Sequence, residues 1–185
     1  MVRIKTRSDN GQQISEFGAA LVLLVLVFFV PLLDLGIMPV RWFLAQEIIQ
    51  NYARKLSLCE SLSQSFQVME ADPSMETQLI RLGGVSPKNV VLGLSIAQTK
   101  NPFEKVNITV PKYIPKEWLP GGRKGPCEYI LELSVECDIA PAMLARSDGP
   151  KIMGLNTPVP FMIGASSPWE NLGRNPVTKN YFMNE

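Results

Sequence analysis

Residues 11–36 read GQQISEFGAALVLLVLVFFVPLLDLG, and from Phe17 to Leu33 no position carries a charge. At 1.5 Å per residue this run makes a helix of about 26 Å, and adding Leu35 to Val40 carries it across the roughly 30 Å of a hydrocarbon core. A helix buried in a soluble protein normally keeps one polar side, whereas this run is apolar all round. We read it as a single membrane-spanning helix. Arg3, Lys5 and Arg7, with the initiating amine, outnumber Asp9 and Glu16 before the run. Such a flank stays cytoplasmic, which puts residues 34–185 on the other side of the membrane. A cleaved secretory signal fits less well. The apolar run exceeds an ordinary signal core, and Asp34, Pro39, Arg41 and Trp42 follow it in place of a small-residue cleavage context.

The junction of leader and helix carries the sharpest motif: Gly11, Gln12, Gln13, Ile14, Ser15, Glu16 and Phe17, then the apolar run. This resembles the processing site of type IV prepilins, in which a membrane peptidase cuts after the glycine and the mature chain has glutamate as its fifth residue. A cut between Gly11 and Gln12 makes Glu16 that residue. Glycine suits the cleavage position because it has no side chain to keep the backbone from the protease. The resemblance implies that Glu16 pairs with the new amino terminus of a neighbouring subunit. An unpartnered carboxylate at the bilayer centre costs about 2.5–3.5 kcal/mol. A carboxylate in a first helical turn is also favoured by the helix dipole, and the two roles are compatible.

Glu16-Phe17 at the start of the span and Asp34-Leu35-Gly36 at its exit narrow the likeness. Together they are similar to TadE-like proteins of the tight adherence (Flp) pilus system, over about residues 11–58. That resemblance implies a pseudopilin-like envelope component of a bacterial inner membrane, and no enzyme. Its partners would be a prepilin peptidase, other pilin or pseudopilin subunits, the pilus assembly machinery and membrane lipid. It implies a pilin-like α+β fold, with a long transmembrane helix whose amphipathic extension packs on a small antiparallel sheet.

Beyond Asp34, the recurrence of Val40, Leu44, Ile48, Tyr52 and Leu56, flanked by Phe43 and Ile49, predicts a continued helix. Gln46, Glu47, Gln50, Asn51, Arg54 and Lys55 form its opposite face. Pro39 is expected to kink or break the path, having no N–H for the Leu35 carbonyl. A short helix is predicted over 73–82, with Asp72 as its cap and Gly83-Gly84 as its end. Strands are predicted at 90–97, at Val106, Ile108 and Val110, at 129–139 and at 158–165. In the third, Tyr129, Leu131, Leu133, Val135, Cys137 and Ile139 share one face and Glu132, Ser134, Glu136 and Asp138 the other. That alternation marks a half-buried antiparallel sheet. The domain plan is a leader over 1–11, the helix and its extension over 12–58, an extracytoplasmic α+β domain over 59–165 and a tail over 166–185. The tail either contacts a partner through Trp169, Tyr181 and Phe182 or covers the sheet.

Chemistry is sparsely represented. The 185 residues contain 18 basic and 17 acidic side chains and no histidine. Net charge is +1, which supplies no basic footprint for nucleic acid. The missing histidine removes the commonest general base and metal ligand. The glycines around Arg123 and Lys124 lack P-loop spacing, and neither a nucleophile elbow nor a zinc-type cysteine pair is present, so no cofactor is implied. Glu132 and Glu136 would lie about 13 Å apart on one strand face, too far for a glycosidase pair and suited to a charged sheet. Cys127 and Cys137, at the ends of one strand, would be about 33 Å apart and beyond disulfide reach. Cys59, at the end of the long helix, is expected to bridge one of them, with Cys137 favoured because it lies on the apolar face. The reading from another functional class is an unprocessed signal-anchored domain that binds an envelope protein.

Overall fold

The apolar run is helical throughout. The structure, a computed structural model, describes residues 9–142, 151, 153, 154 and 157–185. The basic leader residues Arg3, Lys5 and Arg7 lie outside them. Helix α1 (Asp9–Leu24) passes through a π-helical turn (Val25–Phe29) into α2 (Val30–Ser57). The wide turn sits immediately before Pro31, whose ring would otherwise meet the Val27 carbonyl one turn back. Pro39, by contrast, lies inside α2 without ending it. The break expected there does not form. Its ring and the Leu35 side chain are both exposed, and one missing bond in a helix of 28 residues is borne by the rest.

Two short helices follow, α3 (Leu62–Ala71) and α4 (Ser74–Arg81). The sequence pattern predicts only α4, which starts one residue later than expected, with Pro73 at the cap position. Asp72, one residue before it, still reaches the first turn, its Oδ1 accepting from the Ser74 amide at 3.0 Å and its Oδ2 from the Ser74 hydroxyl at 2.9 Å. Gly83 and Gly84, with φ of 70° and 75°, turn the chain into the sheet. The missed α3 has a readable start, the Ser61-x-x-Gln64 capping pattern. Ser61 Oγ accepts from the Gln64 amide, and Gln64 Oε1 accepts from the Glu60 amide.

The chain is α+β. Strands β1 (Val85–Gln98), β2 (Lys105–Ile108), β3 (Cys127–Ile139) and β4 (Val159–Pro168) form one antiparallel sheet in the order β2-β1-β3-β4. Val110 falls beyond the end of β2 and is exposed. On β3 the predicted alternation holds, with Tyr129 to Ile139 at odd positions buried and Glu132 exposed. Pairs such as Leu94 with Leu131 and Val135 with Ile163 carry this face across the strands. Pro87 is accommodated beside a bulge at Lys88, whose ammonium reaches Asp138 at 2.8 Å.

Helix α2 lies across β3 and β4, and α4 against β1. The buried line of α2 is Met38, Ala45, Ile49, Tyr52, Ala53 and Leu56. This corrects the expected stripe: Val40, Phe43 and Leu44 are exposed and Ile48 only partly covered. Close approach of a helix to a sheet selects small side chains at the contact, and Ala45 and Ala53 rotate the buried face toward themselves. The boundary expected between 165 and 166 falls inside β4, which runs to Pro168. The residues after it form an ordered cover, with Trp169 and Met183 buried and a 3-10 turn at Phe182–Asn184.

Candidate membrane anchor and assembly surface

Gly11 and Gln12 lie in the first turn of α1, with Glu16 and Phe17 on the next. The expected cleavage position and the expected docking residues therefore belong to one helix. Four residues along a helix bring Gln12 and Glu16 to the same side, about 6 Å apart along the axis. Phe17 is 71% exposed, and the described apolar side chains after it are exposed as far as Ile37, apart from the partly covered Pro31. Phe17 to Ile37 is about 31 Å of helix. Among the described residues this is the one helix long and apolar enough to cross a membrane, with a hydropathy of 2.8 over its most apolar stretch.

The exit expected at Asp34 and Gly36 is not a break in the chain path, because α2 continues through both to Ser57. Gly36 has open space where a Cβ would point. Among the described side chains of α2, Met38 is the first that is buried, and the folded domain begins there. Met38 packs beside Gly154, and one turn on Arg41 donates from Nη1 to the Ala140 carbonyl at the end of β3. Glycine is favoured at 84 by its φ of 75°, and a Cβ there would stand 2.6 Å from the Arg41 guanidinium and displace it. The Ala140 amide donates back to the Gly84 carbonyl at 2.7 Å. Arg41 thus clamps the apolar helix to the two strand ends nearest it, a role the sequence pattern does not reveal.

Further along, Gln46 Nε2 donates to the Gly164 carbonyl and Gln50 Nε2 to that of Ser166, both at 2.8 Å. Both glutamines are expected from sequence on the side away from the sheet. Their spacing matches their targets: four helical residues rise about 6.0 Å and two strand residues about 6.7 Å. The pair satisfies carbonyls on an edge strand and covers part of that edge. At the far end Ser57 Oγ meets Ser167 Oγ at 3.0 Å, a buried polar contact.

Cys59, Cys127 and Cys137 are all free thiols, so the expected Cys59–Cys137 bridge is not formed. The reason is the direction in which α2 crosses the sheet. Ser57 meets Ser167, which pairs with Leu131, while Cys137 lies six residues further along β3, about 20 Å away. Cys127 is at the same end of the sheet as Cys59, yet its Sγ lies 3.4 Å from the Gly125 carbonyl and carries no bond to another sulfur. Burial first, then the carboxylates of Asp138 and Glu136, pushes the Cys137 thiol up to about 11. It is a packed core side chain with little thiolate character at neutral pH.

Glu132 and Glu136 lie on the outer sheet face, where Asn89 Nδ2 donates to Glu136 at 2.7 Å. The glycine-rich segment is a turn that follows a 3-10 helix (Lys116–Trp118), with Gly121 and Gly125 at φ 80° and 76°. Lys124 from this turn pairs with Glu104. Comparison with protein-family models, with characterised proteins and with solved structures finds no match to this chain.

Proposed function

We propose that this chain is a pseudopilin-like subunit for assembly of a Tad/Flp-type pilus, held in a bacterial inner membrane by the helix from Phe17 to Ile37. In this reading the leader is cytoplasmic, the sheet domain is extracytoplasmic, and a prepilin peptidase cuts between Gly11 and Gln12. The supporting observation is the single helical path on which Gly11, Glu16 and Phe17 precede an apolar stretch exposed on all sides, which then docks on a sheet. The protein acts by packing helices and carries out no reaction of its own.

Cleavage would create an amine at Gln12, one turn from Glu16. In a bundle of such helices, the amine of one subunit and the Glu16 carboxylate of the next would neutralise each other. This removes the penalty of holding either charge in lipid and fixes the axial stagger of neighbours. Phe17 and the apolar side chains after it would supply the helix–helix contact. Amino-terminal sequencing of the protein from its native membrane tests the proposal. A start at Gln12 is expected, and a start at Met1 overturns it in favour of an unprocessed anchor whose domain binds an envelope protein.

A further inference from the structure

The end of the sheet farthest from the helical span holds a feature that the pilus reading does not use. Arg41 fastens the helix near Ile139, whereas Tyr129, about 33 Å along β3, donates its hydroxyl to the Trp118 carbonyl at 2.7 Å. Beside Trp118 opens a cleft of about 620 Å3 whose charged lining is Lys116, Arg174 and Lys179, with no carboxylate among the lining residues. None of these three cations is in an ion pair among the described residues. Glu117 and Glu185 stand outside the lining, and Glu185 accepts from Asn175 Nδ2 and Thr178 Oγ1.

The Arg174 head group is held in place, and at the two lysines the backbone is fixed. The Arg174 guanidinium lies 4.3 Å from the Tyr181 ring centre and donates to its hydroxyl at 2.5 Å, and that hydroxyl donates to the Pro120 carbonyl. Most of the five guanidinium donors remain for a ligand. Lys179 sits at φ 61°, a conformation normally left to glycine or asparagine, and its amide donates to the Asn175 carbonyl at 2.9 Å. Residues held in such backbone regions cluster at binding sites. Lys116 opens the 3-10 turn, and its carbonyl is packed so closely on Gly122 that an added Cβ there would lie 2.6 Å from it. Tyr113, 76% exposed, adds a free aromatic face to the wall.

We infer that this cleft binds a small ligand bearing carboxylate or phosphate groups, with a flat face that lies on Tyr113. Its volume is that of an ordinary small-molecule site, and arginine with lysine is the usual pairing for such oxyanions. The inference is independent of pilus assembly. It is tested by calorimetric titration of the full chain in a neutral detergent with trigalacturonate, inorganic phosphate and maltotriose. Trigalacturonate is expected to bind more tightly than about 1 mM at low salt, with affinity falling as salt screens the cations. Maltotriose should give no heat. Phosphate binding as tightly as trigalacturonate assigns recognition to the oxyanion alone, and weaker phosphate binding assigns the difference to the body of the ligand lying on Tyr113. The double variant Lys116→Gln/Lys179→Asn, in which asparagine tolerates the backbone at 179, should lose at least about tenfold in affinity. Tyr113→Ala, at an exposed position that leaves the core intact, should weaken trigalacturonate severalfold and leave phosphate unchanged. The inference is overturned if neither anion binds below about 10 mM, if maltotriose binds equally, or if the double variant melts and binds as the parent does.

Discussion

Single residues decide how the apolar helix meets the sheet. Arg41 and Gly84 form the tightest such point, because the guanidinium occupies the place of a side chain at 84. Gly84→Ala is expected to destabilise the protein by about 1–2 kcal/mol through the left-handed backbone alone, and by more through displacement of Arg41. Thermal melting in detergent should show a smaller cost in an Arg41→Ala background, since the steric part is then gone. Asp72 acts at the other end of α2. A hydrogen bond from Lys55, then bonds from the Ser74 hydroxyl and amide, hold its carboxyl below the usual carboxylate range. A depressed folded value means that the stabilisation is present above the unfolded value of about 3.9 and is lost as pH falls through the folded one. Melting temperature should therefore decline in acid below about pH 4, with a shallower decline for Asp72→Asn and at high salt. A parallel decline in parent and variant would show that Asp72 plays no part.

At the scale of elements, α2 carries two contact systems on neighbouring sides. One is the buried line Ala45, Ile49, Tyr52, Ala53 and Leu56, and the other is the pair Gln46 and Gln50 on β4 carbonyls. Replacing both glutamines by alanine is expected to cost about 1–2 kcal/mol, the sum of two modest hydrogen bonds. Because β4 is an edge strand, the variant should also self-associate more readily than the parent in size-exclusion chromatography. An unchanged melting temperature and elution volume would dismiss this role. The two glutamines read in sequence as part of a solvated face because helical periodicity reports hydrophobicity and is blind to a carbonyl row on another strand. The start of α3 was legible at Ser61 and Gln64, but its apolar content is modest and gives no strong stripe.

For the molecule as a whole, the load falls on the layer between helices and sheet. Leu131, fully buried at the centre of β3 and paired with Leu94 and Ser167, faces that layer. Leu131→Ala should lower stability by about 2–5 kcal/mol in a denaturant titration, whereas a surface change such as Val177→Ala should be near neutral. The sequence by itself determined the long apolar helix and the alternation of β3. Each follows from the repeat of a single element, 1.5 Å per residue or two faces per strand, and needs no knowledge of neighbours. Only the tertiary structure decided which side of α2 is buried, that Cys59 and Cys137 stand at opposite ends of the sheet, and that Lys116 shares a cleft with Arg174 and Lys179. Those outcomes depend on the direction in which one element crosses another. Docking sets that direction through the fit of small side chains and edge carbonyls, and local periodicity carries no record of it.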